Sequence, residues 1–180
     1  MLNFTKGRWH TISIFIFCFI PIKSIAATSF LESDKPFMII EDEHDRAQAW
    51  GTCVAAYKLM SMIQAEASPA TAKAMSDKAN GATIALYIDY ILGMDSNASS
   101  DQFSARVKMA NVLMEGIPES QLTSMLAAGE QLKHNDEWFL LVTNTLKICM
   151  DNIDTQQELI NLWREMCSGQ VKLATAQETF

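Results

Sequence analysis

Residues 47–63, AQAWGTCVAAYKLMSMI, decide the fold. Their apolar side chains recur at separations of three and four residues, which is the spacing of one face of an α-helix. That face carries Trp50, Cys53, Val54, Tyr57 and Met60. A cysteine in the middle of an apolar helix face is expected to lie in the core, within reach of a second apolar helix.

The cysteines indicate one disulfide bond. Cys18 lies in an apolar segment near the amino terminus, which leaves Cys53, Cys149 and Cys167 in the body of the chain. An oxidising compartment then permits the pairs 53–149, 53–167 and 149–167. The first pair is favoured, because each of its cysteines lies inside an apolar helix face. Cys167 stands beside a predicted helix end.

The amino terminus reads as a secretory signal peptide. Lys6 and Arg8 precede a short apolar run, residues 12–20 (ISIFIFCFI), and Ser24-Ile25-Ala26 follows with small residues. We expect cleavage after Ala26 and a periplasmic or secreted protein, with residues 1–26 removed. A retained membrane anchor is the alternative, but the run is shorter than the roughly 20 residues that span a bilayer.

The net negative charge of the chain limits the classes of partner that it can bind. Removing residues 1–26 leaves 11 Lys+Arg against 21 Asp+Glu, a formal charge of −10. We therefore expect neither nucleic acid nor a membrane as a partner, since both nucleic acid and anionic lipid attract basic surfaces. A basic protein partner is compatible with this charge. Acidity that only keeps the protein soluble is the simpler interpretation.

The length of 180 residues predicts a single domain. An extended lead-in (27–40) is expected to precede one helical domain (41–169) and a flexible tail (170–180). Gly116 and Pro118 are typical of a helix end and a helix start, so they divide the middle of the chain. The prediction is an all-α compact bundle, stapled by one disulfide, of about six helices: 45–67, 69–92, 101–115, 118–133, 137–152 and 154–169.

No motif predicts catalysis. The sequence contains no GxSxG, no P-loop, no GxGxxG, and no CxxC or HxxxH metal-ligand spacing. His44 and His134 stand apart in polar surroundings at predicted helix boundaries. We therefore predict no enzyme, no catalytic residue, no metal and no cofactor. A small helical enzyme that uses His44 or His134 is the competing hypothesis.

The most polar loop, residues 94–100 (MDSNASS), is the candidate partner-binding loop, because exposed loops on rigid scaffolds often carry recognition. Its Asn97-Ala98-Ser99 is formally a glycosylation acceptor. A plain connector is the alternative. The residues proposed to bind the partner are Asp95, Ser96, Asn97, Ser99 and Ser100.

Two segments resemble the periplasmic immunity proteins that inhibit type VI secretion amidase effectors. One is residues 50–57, WGTCVAAY; the other is residues 146–151, LKICMD, followed by Glu158-Leu159. The resemblance implies an all-helical fold, a Cys53–Cys149 bridge and a homodimer. It also implies that a loop blocks the cleft of a peptidoglycan amidase.

The functional hypothesis is therefore a non-enzymatic periplasmic protein that binds and neutralises a protein partner, such as a cell-wall hydrolase. The alternative is a periplasmic accessory or chaperone-like protein that binds clients through methionine-rich apolar faces.

Overall fold

The computed structural model describes residues 28–31, 34–94 and 97–168. The predicted signal peptide (1–26), the predicted tail (170–180), and Asp95 and Ser96 of the loop lie outside the described residues. Helices are the only regular elements of the described part, which confirms the all-α class. They are a 3-10 helix Phe37–Ile39, α1 Glu43–Gln64, α2 Pro69–Leu92, α3 Ser100–Gln131, α4 Asp136–Asp151 and α5 Ile153–Cys167.

Helix α1 is the centre of the bundle. Between Ala47 and Leu59 almost every side chain is buried, because α2, α3, α4 and the 3-10 helix pack around it. Trp50, Val54 and Tyr57 are at most 1% exposed. Burial raises the pKa of Tyr57 to about 12. Residues 47–63 of α1 thus form the element around which the other helices pack.

The disulfide joins Cys53 to Cys149, with their Cα atoms 5.5 Å apart. This confirms the favoured pairing and connects α1 to α4. The two helices are antiparallel, since Trp138 at the start of α4 packs near Leu59 at the end of α1. Cys167 is free and exposed.

The prediction of six helices is wrong, because residues 101–133 contain one helix instead of two. Helix α3 continues through Gly116 and contains Pro118 in its interior. An interior proline costs about 3 kcal/mol, since it removes one backbone hydrogen bond. Tertiary packing offsets that cost: Pro118 and Ile117 are buried, and Ile117 packs against Gly51 of α1.

Two interior glycines give a matched prediction. A Cβ at Gly51 would lie 3.0 Å from the Ile117 Cβ, whereas a Cβ at Gly116 would meet nothing within 4 Å. Gly51→Ala is expected to destabilise the fold by about 1–2 kcal/mol through overpacking. Gly116→Ala is expected to stabilise it by about 0.5–1 kcal/mol, because alanine favours the helix. Urea unfolding in dilute solution measures both. Equal changes in the free energy of unfolding for the two variants would contradict the α1–α3 contact.

Candidate functional site

An acidic groove of about 840 Å³ opens beside the first turns of α1. The lead-in forms one wall, α1 forms the floor, and Gln121 of α3 closes the far side. We call this feature the acidic groove. Its lining residues are Phe30, Leu31, Lys35, Ile39, Ile40, Glu41, Asp42, His44, Asp45, Gln48, Ala49, Thr52 and Gln121.

Polar side chains of α4 and of the α4–α5 junction hold the lead-in in place. The Asn144 amide donates to the Thr28 carbonyl at 2.8 Å, and the Phe30 amide donates to Thr145 Oγ1 at 2.9 Å. The Phe37 amide donates to Oδ1 of the buried Asn152 at 2.9 Å. These bonds lay the lead-in against the bundle and fix one wall of the groove.

Aromatic packing anchors the end of the lead-in nearest α1. Phe37 is fully buried, and its ring meets the Trp50 ring edge-to-face with centroids 4.8 Å apart. The 3-10 helix that Phe37 begins leaves Ile39 60% exposed at the groove. The groove therefore presents a largely exposed apolar side chain beside its acidic residues.

The charge of the groove comes from Glu41, Asp42 and Asp45, all of which are exposed. Asp42 caps α1 by accepting a hydrogen bond from the Asp45 amide at 2.9 Å. None of the three carboxylates forms an ion pair with a described residue, and Lys35 is the one Lys or Arg in the lining. The groove is therefore a region of negative potential that is open to a cation.

A chain of side-chain hydrogen bonds crosses the floor. The Gln121 amide nitrogen donates to Gln48 Oε1 at 2.9 Å, and Gln48 Nε2 lies 3.3 Å from His44 Nε2. These contacts connect α1 to α3 and orient polar groups along the floor.

Behind the groove, a buried ion pair fixes α1 to α2. Arg46 Nε lies 2.7 Å from Asp89 Oδ2, and Arg46 Nη1 donates to the Ile40 carbonyl at 2.8 Å. Burial raises the pKa of Asp89, although the Arg46 charge and hydrogen bond act in the opposite direction. The Trp50 indole N–H also favours the charged carboxylate, but its geometry falls short of a hydrogen bond.

A second ion pair connects the groove to the polar loop. Glu43 pairs with Arg106 of α3, whose guanidinium also lies 4.1 Å from the centroid of the Tyr90 ring. Burial lowers the pKa of Arg106. Gly93 packs on this pair, because a Cβ there would lie 2.9 Å from both the Arg106 and the Glu43 side chains. The loop therefore starts next to the first turn of α1.

The structure gives the described residues of the predicted partner-binding loop different environments. Asn97 is exposed, whereas Ser99 is the N-cap of α3 and Ser100 is the first residue of that helix. Ser99 and Gln102 form a reciprocal capping box, so the Ser99 hydroxyl is already engaged. A second cavity, of about 380 Å³, lies beside the loop and is lined by Gly93, Met94, Asn97, Ala98, Gln102 and Arg106.

No pattern in the sequence predicted the acidic groove. The run of acids at 41–45 is typical of a helix N-terminus, where Asp42 does cap α1, but Glu41, Asp42 and Asp45 also line the groove. The long-range partners Gln121, Arg106 and Asp89 carry no local signal that places them beside it. The exposed Ile39 within an apolar run was the one available hint.

His44 and His134 do not form a common site. His44 bonds Gln48 in the first turns of α1, whereas the His134 ring packs edge-to-face on Trp138, near the other end of α1. Among the described residues, no group of three His, Cys, Asp or Glu side chains is arranged to hold a metal ion.

Within that same part of the chain, no helix combines the length and apolarity needed to cross a bilayer.

Comparison with protein-family models, with curated proteins and with solved structures finds no match to this chain. The resemblance to amidase immunity proteins therefore depends only on the two cysteine-bearing segments.

Proposed function

We propose that this chain is a non-enzymatic, exported protein that binds and neutralises a protein partner, in the manner of an immunity protein against a secreted peptidoglycan amidase. The observation that carries the proposal is the acidic groove, whose carboxylates have no ion-pair partner among the described residues. Steric occlusion is the mechanism: a rigid bundle covers the cleft of the partner and keeps its substrate out.

The distribution of ion pairs favours binding at the groove. Glu43 and Asp89 are neutralised by arginines within the bundle, whereas Glu41, Asp42 and Asp45 remain available. Free carboxylates around an exposed isoleucine suit a basic protein segment that also carries an apolar side chain. Such charge complementarity raises the association rate and makes it sensitive to salt.

The polar loop is included in the proposed contact surface. Gly93 joins it to the Glu43–Arg106 pair, so the loop and the groove lie at adjoining positions around the start of α1. The capping box at Ser99 limits the motion of the end of the loop. The loop is therefore proposed to enter the partner cleft while the groove holds a basic segment beside that cleft.

A chaperone-like accessory role is the second candidate. Exposed apolar side chains occur on four of the α-helices, and examples are Met62, Ile84, Val112 and Leu140. They are spread around the bundle instead of lining one groove. Suppression of the aggregation of many unfolded clients would support this role.

The test is capture of a partner by oxidised protein, residues 27–180, from secreted and periplasmic fractions of its own source and of close competitors. One stoichiometric partner is expected, and its hydrolysis of purified peptidoglycan should fall as it is titrated with this protein. Glu41→Lys with Asp45→Lys should weaken binding. Asp77→Lys with Asp151→Lys is the control, since it changes the net charge equally at exposed positions outside the groove.

Capture of many unfolded clients, or a captured hydrolase that keeps full activity, would overturn the proposed function. Equal weakening by the groove variant and the control variant would show that net charge, and not the groove, attracts the partner.

A further inference from the structure

The bridged Cys149 lies between two side chains that hold the lead-in. Thr145 is four residues before Cys149 and Asn152 is three residues after it, a spacing that places all three on one helix face. All three are at most 4% exposed. Thr145 Oγ1 accepts a hydrogen bond from the Phe30 amide. Asn152 Oδ1 accepts one from the Phe37 amide, so the disulfide and the groups that bind the lead-in share one surface.

Phe37 contacts both of the helices that the disulfide joins. Its ring packs edge-to-face on Trp50 of α1, three residues before Cys53, and its amide donates to Asn152 at the end of α4. Both contacts require that α1 and α4 keep the separation set by the bond, with the two cysteine Cα atoms 5.5 Å apart. The bond therefore sets the spacing on which the lead-in wall of the acidic groove depends.

Other contacts hold the remainder of the bundle without the disulfide. The buried ion pair of Arg46 with Asp89 joins α1 to α2. At the start of α4, Trp138 Nε1 donates to the Met125 carbonyl of α3 at 3.0 Å. Loss of the disulfide is therefore expected to loosen the carboxyl-terminal half of α4, while α1, α2, α3 and the start of α4 stay packed.

We propose that the lead-in wall of the acidic groove assembles only after the Cys53–Cys149 bond forms, so that the bond is a redox switch for the groove. In the oxidised chain the lead-in lies against α4 and the wall is in place. In the reduced chain the lead-in detaches from α4 as far as Ile40, whose carbonyl remains bonded to Arg46. The switch controls the site of the proposed function, and its biological role rests on that function.

The bond forms by thiol–disulfide exchange with an oxidant that itself carries a disulfide. One cysteine thiolate attacks a sulfur of the oxidant, and the second cysteine then displaces it, so the oxidant takes up two electrons and two protons and leaves as a dithiol. Reduction by a dithiol is the reverse reaction. Since both cysteines are buried, the exchange takes place before the bundle closes around α1. A chain made in a reducing compartment therefore has no complete groove until it reaches an oxidising one.

Amide hydrogen exchange, measured at single residues by NMR, tests the switch. Cys53→Ala with Cys149→Ala removes the bond and adds no polar group; a Cys167→Ser background excludes crosslinking through the free thiol. The Phe30 and Phe37 amides should exchange about tenfold or more faster than in the oxidised protein, because each depends on one hydrogen bond to the loosened part of α4 and its cap. Amides inside α2 and α3 should be accelerated much less.

Gly51→Ala is the matched control. It is expected to destabilise the fold through the α1–α3 contact, but it leaves the disulfide and the side chains that bind the lead-in in place. Exchange at Phe30 and Phe37 should therefore stay close to that of wild type. Wild type reduced with dithiothreitol is the second measurement, because it loses the bond without any substitution, and it should reproduce the faster exchange of the double variant.

Unchanged exchange at Phe30 and Phe37 in folded protein without the bond would overturn the switch. The same conclusion would follow if all amides were accelerated by one factor, or if Gly51→Ala accelerated these two amides as much as loss of the bond does. Circular dichroism shows whether each protein is folded. Complete unfolding of both the double variant and reduced wild type would also overturn the proposal, because it requires the helices to stay packed.

Binding to a captured partner distinguishes failure of the switch from failure of the proposed function. The oxidised chain should bind that partner about tenfold or more tightly than the double variant, because only the oxidised chain has the complete groove. Equal affinities would contradict control of the groove by the bond and leave the proposed function standing. If no form captures a partner, the proposed function fails, and hydrogen exchange at Phe30 and Phe37 still decides whether the bond controls the lead-in.

Discussion

Cys53→Ala is expected to lower the free energy of unfolding by about 2–5 kcal/mol under oxidising conditions. The bond joins residues 96 positions apart, so it removes much of the freedom of the unfolded chain. Both cysteines are at most 3% exposed, and the truncated side chain also leaves a small void in the core. Urea or thermal unfolding of the oxidised variant and wild type measures the loss.

Two controls distinguish the effect of losing the disulfide bond from the effect of losing a cysteine thiol. Cys167→Ser should leave stability unchanged, because Cys167 is free and exposed. Cys53→Ala should lose no further stability in reductant, whereas wild type should fall toward the level of the variant. An oxidised Cys53→Ala protein with the midpoint of wild type would show that the bridge contributes nothing. A crosslink between Cys149 and Cys167 in peptide mapping would contradict the α1–α4 connection.

Asp89→Ala is expected to cost about 3–5 kcal/mol, because it leaves Arg46 in a mostly buried position without a charged partner. The Arg46 side chain is 14% exposed and the Asp89 side chain 8%. One hydrogen bond, to the Ile40 carbonyl, would remain. Most of the expected loss in unfolding free energy comes from leaving the Arg46 guanidinium buried without a counter-charge. The loss is therefore larger than the stability that the intact Arg46–Asp89 pair contributes.

Asp77→Ala is the matched control, since Asp77 is on the same helix and pairs with Lys73 at 2.6 Å with both side chains largely exposed. Exposed pairs of this spacing contribute about 0.3–0.5 kcal/mol. The double replacement Arg46→Met with Asp89→Leu should recover much of the loss, because it removes both buried charges. Equal losses for Asp77→Ala and Asp89→Ala would show that burial does not set the cost.

The raised pKa of Asp89 fixes the direction of its pH dependence. The folded chain retains the Asp89 proton at a pH where the unfolded chain has already released it. Its contribution to stability is therefore fully present below the ordinary carboxylate pKa and is lost as the pH rises through the raised value. The stability difference between wild type and Asp89→Asn should accordingly narrow as the pH rises through that window.

The core and its disulfide could be predicted from the sequence because their signals are local. The apolar spacing around Trp50 and Cys53 requires a buried helix wherever that helix packs. Cys149 lies on an equally apolar helix face, so the two faces were expected to pack against each other. The structure confirms both the central position of α1 and the Cys53–Cys149 bond.

The continuity of α3 could not be predicted in the same way. Gly116 and Pro118 are local signals for a helix end and a helix start, and they are outweighed by the contact between Ile117 and Gly51, residues 66 positions apart in the chain. The acidic groove was missed for a related reason. Its walls come together through the pairing of Gln48 with Gln121 and of Phe37 with Asn152, which no sequence spacing reveals.

The central position of α1 has a consequence for biosynthesis. The ribosome makes α1 before the other α-helices that cover it, and two of those, α3 and α4, are completed only at Gln131 and Asp151. For much of translation the nascent chain therefore carries the helix with the most buried side chains without the surfaces that shield it. Such a chain is prone to aggregate unless a holding factor binds it. Truncation before α4 should accordingly yield insoluble protein, however stable the complete fold is.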